Sequence, residues 1–168
     1  MPKIIKDLES KLIEEANRQI KEVGYGATTI RSIAKACGVG IGTVYNYFSS
    51  KEDLLATYML EDWKNCITAI NAVSLYSTEP APVMQCIYDQ LLTFAQRHAS
   101  VFKDEAAATA FAGSYSRYHT LLRSQLAQPL QKFCENDYTS LFIAESLLTW
   151  SMEGRAFDEI YGIIQKLF

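Results

Sequence analysis

Apolar residues recur along this chain at spacings of three and four rather than two, the pattern of helices packed along one side. Leu8, Leu12, Ile13, Ala16, Ile20 and Val23 form the first stripe and predict a helix that Gly24 and Gly26 end. A second helix starts at Thr28–Thr29, where either hydroxyl can accept a backbone N–H, and stops at Cys37–Gly38. After the turn Gly38–Val39–Gly40, a third helix of about two turns runs to Phe48. Ser50-Lys51-Glu52-Asp53 has the spacing of a capping box and opens a fourth helix reaching Tyr76. Thr78–Pro82 reads as a loop, because its two prolines interrupt helical bonding. Further helices are expected over 83–98, 101–112, 114–134, 138–153 and 157–168. No run of alternating β-branched residues bounded by turns intervenes, so the expected fold class is all-α.

The third helix divides cleanly into two faces. At roughly 100° per residue, Val44 and Phe48 share one side with the edges of Ile41 and Tyr47, while Gly42 and Asn46 lie opposite and Thr43 and Tyr45 flank them. Val44 and Phe48 are therefore expected to pack on Ile30, Ile33, Ala34 and Val39. Gly42, Thr43, Tyr45 and Asn46 are left for a partner. Two short helices joined by a glycine turn behind a longer supporting helix are what a helix-turn-helix reader of DNA requires. The motif spans residues 29–48, within an expected N-terminal three-helix domain at 1–50. Asn46 can bond an adenine edge and the Thr43 methyl can meet a thymine methyl, while Tyr45, Tyr47 and Lys51 can reach phosphates. Glycine at 40 and 42 weakens the isolated helix, an expense explained by close approach of the DNA backbone.

Gly24-Tyr25-Gly26-Ala27-Thr28-Thr29-Ile30, Ile33-Ala34-Lys35-Ala36-Cys37-Gly38-Val39, Gly42-Thr43-Val44-Tyr45-Asn46-Tyr47-Phe48 and Ser50-Lys51-Glu52-Asp53-Leu54 follow one another in an order and spacing that resemble the TetR/AcrR family of transcriptional regulators. The resemblance implies a dimer of all-α subunits, each with a DNA-binding head and a divergent helical ligand-binding body. It also implies DNA contacts, mostly to the backbone, from Thr29, Arg31, Thr43, Tyr45, Tyr47 and Lys51. By the same analogy the protein is a repressor that a ligand releases from a palindromic operator. Two departures stand out: Gly40 replaces the hydroxyl residue often found at the start of the recognition helix, and the body is short.

The remaining residues, 51–168, are expected to form a helical effector-binding and dimerisation domain. Between 138 and 153, apolar residues cover more of the helix than one core-facing stripe needs, and 157–168 repeats the pattern. Two readings fit: an internal hairpin, or a surface that pairs with its copy across a two-fold axis, with Leu141, Leu148, Phe157, Tyr161 and Ile164 as its residues. Trp63, Tyr88, Phe94, Phe111, Tyr115 and Tyr118 read either as ordinary core or as the lining of a pocket for a small, largely apolar effector.

Charge separates the two parts. Residues 1–51 hold eight Lys or Arg against five Asp or Glu, and the rest hold eight against fourteen, so only the N-terminal part suits a polyanion. Cys37, Cys66, Cys86 and Cys134 form no CxxC pair, and His98 and His119 lack metal-ligand spacing and sit among polar residues, which suits surface or helix-end roles. With no nucleophile, P-loop or paired-carboxylate motif, neither an enzyme nor a bound cofactor or metal is expected. The chain has no apolar run of the roughly 20 residues that span a bilayer and opens without a secretory signal, so the expected location is the cytoplasm. A helical adaptor that binds another protein is the alternative class. The expected partners are double-stranded operator DNA, a second copy of the chain and an effector.

Overall fold

Helix α1 (Leu8–Val23) buries Leu8, Leu12, Ile13, Ala16 and Ile20 of its predicted stripe, but Val23, in its last turn, is 58% exposed. It is followed by α2 (Ile30–Ala36), α3 (Ile41–Tyr45) and α4 (Lys51–Tyr76). Next come α5 (Pro80–Arg97), α6 (Ala99–Phe102), α7 (Glu105–Phe111), α8 (Tyr115–Ala127), α9 (Asp137–Met152) and α10 (Phe157–Ile164), with no strand among the described residues. The computed structural model describes residues 7–167; Lys3, Lys6 and Phe168 lie outside them. No helix among the described residues is long and apolar enough to cross a membrane.

Several boundaries depart from the sequence pattern for local reasons. Pro80 and Pro82 do not make a loop but sit in the first turn of α5, where a missing N–H costs no intrahelical bond. The helix expected over 101–112 is two helices, because the Asp104 carboxylate accepts the N–H groups of Ala106 and Ala107 and starts α7 afresh. Pro129 lies where α8 gives way to a 3₁₀ segment, Gln128–Phe133.

The chain divides into two compact units, and the boundary is not near residue 50. The first unit contains the described residues up to Glu61 together with His98–Gly113; the second contains Asp62–Arg97 and the described residues from Ser114 on. In the first, Leu12, Ala16, Ile30, Ile33, Ala34, Val44, Phe48 and Leu54 form one buried cluster. A smaller cluster joins Ile20, Tyr25, Leu55, Val101 and Ala107, which is how the segment at 98–113 becomes part of this unit. His98 is buried there at the start of α6, edge-on to Tyr58.

In the second unit α9 packs against α8, α5 and α10. That explains its apolarity on several sides: Ile143, Ala144, Leu147 and Leu148 are all buried within the unit. Ile164 on α10 is buried as well, so Leu148 and Ile164 do not lie on the surface proposed from sequence; Leu141, Phe157 and Tyr161 are half-buried. Replacing Leu147 by Ala should cost about 2–5 kcal/mol in urea unfolding, through lost burial plus the cavity left behind. The same truncation at Tyr138, which is 86% exposed, should stay within about 0.5 kcal/mol.

Candidate nucleic-acid interface

Local chemistry builds α2 and α3. Thr29 Oγ1 accepts the Ser32 N–H at 3.0 Å while the Thr29 N–H donates to Ser32 Oγ at 3.1 Å, a reciprocal cap. Behind it, buried Gln19 lies within hydrogen-bond reach of Ser32 Oγ and donates to Glu15 at 2.7 Å. Arg18 grips the same carboxylate, and its hydrogen bond is the main reason the Glu15 pKa falls to about 2. The turn to α3 needs Gly38, whose φ of +68° is a left-handed conformation that other residues adopt only with strain. From there Val44 and Phe48 drop into the core against α2, as the two-face division predicts.

The opposite face is open. Thr29, Arg31, Gly42, Tyr45 and Asn46 are exposed and Thr43 is half-buried. Tyr47 is half-buried too, packed on the edge of the core with its ring tilted 35° to Phe48. Lys35 is exposed beside Arg31 on α2. Ile41, which the sequence pattern assigns to the edge of the core, is 36% exposed. With Thr29, Ile30, Arg31 and Tyr45 it lines an open hollow of about 360 Å³.

Lys51 is placed differently from the expectation. Its ammonium turns inward, donating to the carbonyls of Tyr25 at 2.7 Å and Thr28 at 2.9 Å, and it sits 3.8 Å above the Tyr25 ring. It anchors the start of α4 to the α1–α2 turn, and burial lowers its pKa. Tyr25 is engaged on every side: its hydroxyl donates to Glu52, and its N–H donates to Asp104 Oδ2 at 2.9 Å. Gly24, at φ +85°, makes room for that carboxylate, since a Cβ there would stand 3.3 Å from Asp104 Oδ2. Sequence reasoning did not connect Tyr25 with Asp104, because the two lie 79 residues apart in the chain and no local spacing relates them.

The aromatics singled out for a pocket divide. Trp63 and Phe94 are buried together in the second unit, edge to face at 5.4 Å, with the Trp63 indole N–H donating to Gln125 at 2.7 Å. Tyr88 packs on Phe157 and donates its hydroxyl to the Arg155 carbonyl. Tyr118 is half-buried, whereas Tyr115 is 67% exposed and stacks on His119. Phe111 belongs to the first unit, against Tyr25.

Residues 12–58 match the family model described as bacterial regulatory proteins, tetR family. The chain is 37% identical over 54 residues to the HTH-type transcriptional regulator HbdR of Aromatoleum sp. (strain CIB), a match covering 32% of this chain and 24% of that protein. Matches to the first curated relatives span from 24% to 56% of their lengths. Among solved structures, a transcriptional regulator of Streptomyces coelicolor A3(2) superposes with a TM-score of 0.73 at 13% identity, covering 96% of this chain and 98% of that one. FadR of Thermus thermophilus, a TetR family transcriptional repressor solved in complex with lauroyl-CoA, gives 0.65 at 20% identity, covering 95% and 92%. At these identities the likeness to the solved structures is one of fold.

The Asp104 contact sets a pH dependence. Backbone N–H groups, that of Ala107 foremost, hold its carboxyl below the ordinary 3.8. A group whose pKa is depressed by folding stabilises above its unfolded value and loses that contribution as pH falls through the folded one. Asp104→Asn should therefore lower the urea midpoint at pH 7, and its difference from the unchanged protein should shrink once the pH drops below about 4.

Proposed function

We propose that this chain, whose residues 12–58 carry the head of the bacterial tetR family of regulatory proteins, is a sequence-specific DNA-binding repressor. It acts in the cytoplasm as a homodimer on a palindromic operator, and a small, largely apolar ligand releases it. One observation carries the reading: two short helices share a single buried core while Thr29, Arg31, Gly42, Tyr45 and Asn46 stand exposed on their other side. Arg31 and the tyrosine hydroxyls suit phosphate oxygens, and the Asn46 amide suits a base edge. Lys51 contributes from behind, by fixing the turn that ends at Thr29.

A two-fold operator calls for a two-fold protein. The last two helices offer the surface for it, since Phe142, Met152 and Ile163 are 54%, 49% and 54% exposed. Half-buried Leu141, Phe157 and Tyr161 flank this surface, with Leu148 and Ile164 supporting it from inside. Because the Thermus thermophilus protein was solved with lauroyl-CoA, that acyl thioester is the first effector to try, with Trp63, Tyr88, Phe94 and Tyr118 as the residues to probe.

Selection from a random duplex pool, followed by fluorescence anisotropy on the enriched sequence, tests the reading. The unchanged protein should select a palindrome and bind it with a steep salt dependence. Thr43→Ala combined with Tyr45→Ala should weaken binding by at least about a hundredfold while leaving the fold and subunit association intact. Failure to enrich any sequence would sink the reading and favour a helical adaptor. Sedimentation equilibrium tests the pairing: Phe142→Glu with Ile163→Glu should convert a dimer to monomers and cost about a hundredfold in operator affinity through lost bivalency.

A further inference from the structure

Ile41 sits oddly for an apolar side chain. It occupies the first turn of α3, is 36% exposed, and lies between two glycines. A Cβ added at Gly42 would meet nothing within 4 Å, and one at Gly40 only Thr43 Oγ1 at 3.9 Å. Neither glycine is therefore required by packing inside the chain. They leave the positions on either side of Ile41 without a side chain, and Ile41 lines the 360 Å³ hollow with Thr29, Ile30, Arg31 and Tyr45.

The chemistry of the hollow narrows its occupant. No acidic residue lines it, and exposed Arg31 and Lys35 stand on the adjoining helix, which suits an anionic partner. Its inner wall is apolar, from Ile30, Ile41 and the ring of Tyr45. Duplex DNA is the polyanion that the preceding reading already places at this face, and the present step rests on that reading. Of the groups DNA presents in its major groove, only one is apolar, the 5-methyl of thymine. Isoleucine can neither donate nor accept a hydrogen bond, so pressing it against adenine, guanine or cytosine edges would strip water from polar atoms and return nothing.

We infer that Ile41 is a specificity-determining residue whose side chain, with the Tyr45 ring and the wall formed by Thr29, Ile30 and Arg31, receives a thymine 5-methyl group. Thymine is thereby selected by apolar contact, alongside whatever Asn46 reads by hydrogen bonding. The glycines at 40 and 42 let the helix approach closely enough for that contact.

The experiment uses the full chain and the duplex it enriches from a random pool. Each thymine in that duplex is replaced singly by deoxyuridine, which lacks only the methyl, and affinities are measured for the unchanged protein, Ile41→Ala and Ile41→Val. At one or more thymines the unchanged protein should lose about fourfold, the worth of one buried methyl. Ile41→Val should keep that penalty, and Ile41→Ala should show less than about a twofold loss at the same thymine. An unaltered urea midpoint for Ile41→Ala would exclude misfolding as the cause. Indifference of the unchanged protein to every replacement, or an equal penalty in Ile41→Ala, overturns the inference while leaving DNA recognition standing. If no sequence is enriched at all, the DNA reading fails and this inference falls with it.

Discussion

The five residues of α3 are too few to persist as a helix in water, where isolated helices shorter than about a dozen residues are marginal. The helix exists because Val44 and Phe48 are buried against Ile30, Ile33, Ala34 and α1. That burial also sets its rotation. With Val44 and Phe48 fixed inward, Gly42, Tyr45 and Asn46 have no direction left but outward. Stability of the first unit and presentation of its candidate reading surface thus arise from the same apolar contact.

The α1–α2 turn is the second point on which the first unit depends, and one residue holds it. Tyr25 uses its N–H on Asp104, its carbonyl on Lys51, its hydroxyl on Glu52 and its ring on Lys51 and Phe111. The protonation states are mutually consistent. Burial, then the hydrogen bond to Glu52, raises the phenol pKa and keeps it a donor, while that same bond lowers Glu52 and keeps it an acceptor. Three segments distant in sequence, the turn, the start of α4 and the start of α7, are joined through this one side chain. Because Thr29 begins α2 directly after the turn, the same contacts orient the candidate DNA-facing end of that helix.

The second unit solves a different problem, that of a helix apolar on several sides. Helix α9 is accommodated by surrounding it with α5, α8 and α10. Elsewhere in this unit, polar groups close the helix ends: Lys132 donates to the Ser74 and Ser77 carbonyls at the end of α4, and Ser74 donates to the Pro129 carbonyl at 2.9 Å. What remains outside is a small set of apolar side chains, among them Phe142, Met152 and Ile163. Periodicity alone could not separate these from Leu148 and Ile164, because an apolar residue on a helix looks the same whether its own chain or another covers it.

Along α1, α2 and the turn at Gly38, the sequence by itself came close: the stripe from Leu8 to Ile20, a threonine cap and a glycine turn are local features, and the structure added the choice of Thr29 over Thr28, the left-handed backbone of Gly38 and the exposure of Val23. The same locality made the inward Val44 and Phe48 and the outward Gly42, Tyr45 and Asn46 legible, since one helix turn relates them. What only the tertiary structure decided involves partners distant in sequence. Lys51 turned from an expected phosphate contact into an internal anchor because two carbonyls more than twenty positions away converge on it. Asp104 became part of the first unit through an N–H 79 residues distant. Ile41, expected at the edge of the core, is instead 36% exposed at the first residue of α3, while Val44 and Phe48 fill the core behind it. Helical periodicity specifies which residues share a side, but the choice of what covers that side depends on chain segments that meet only when the protein folds.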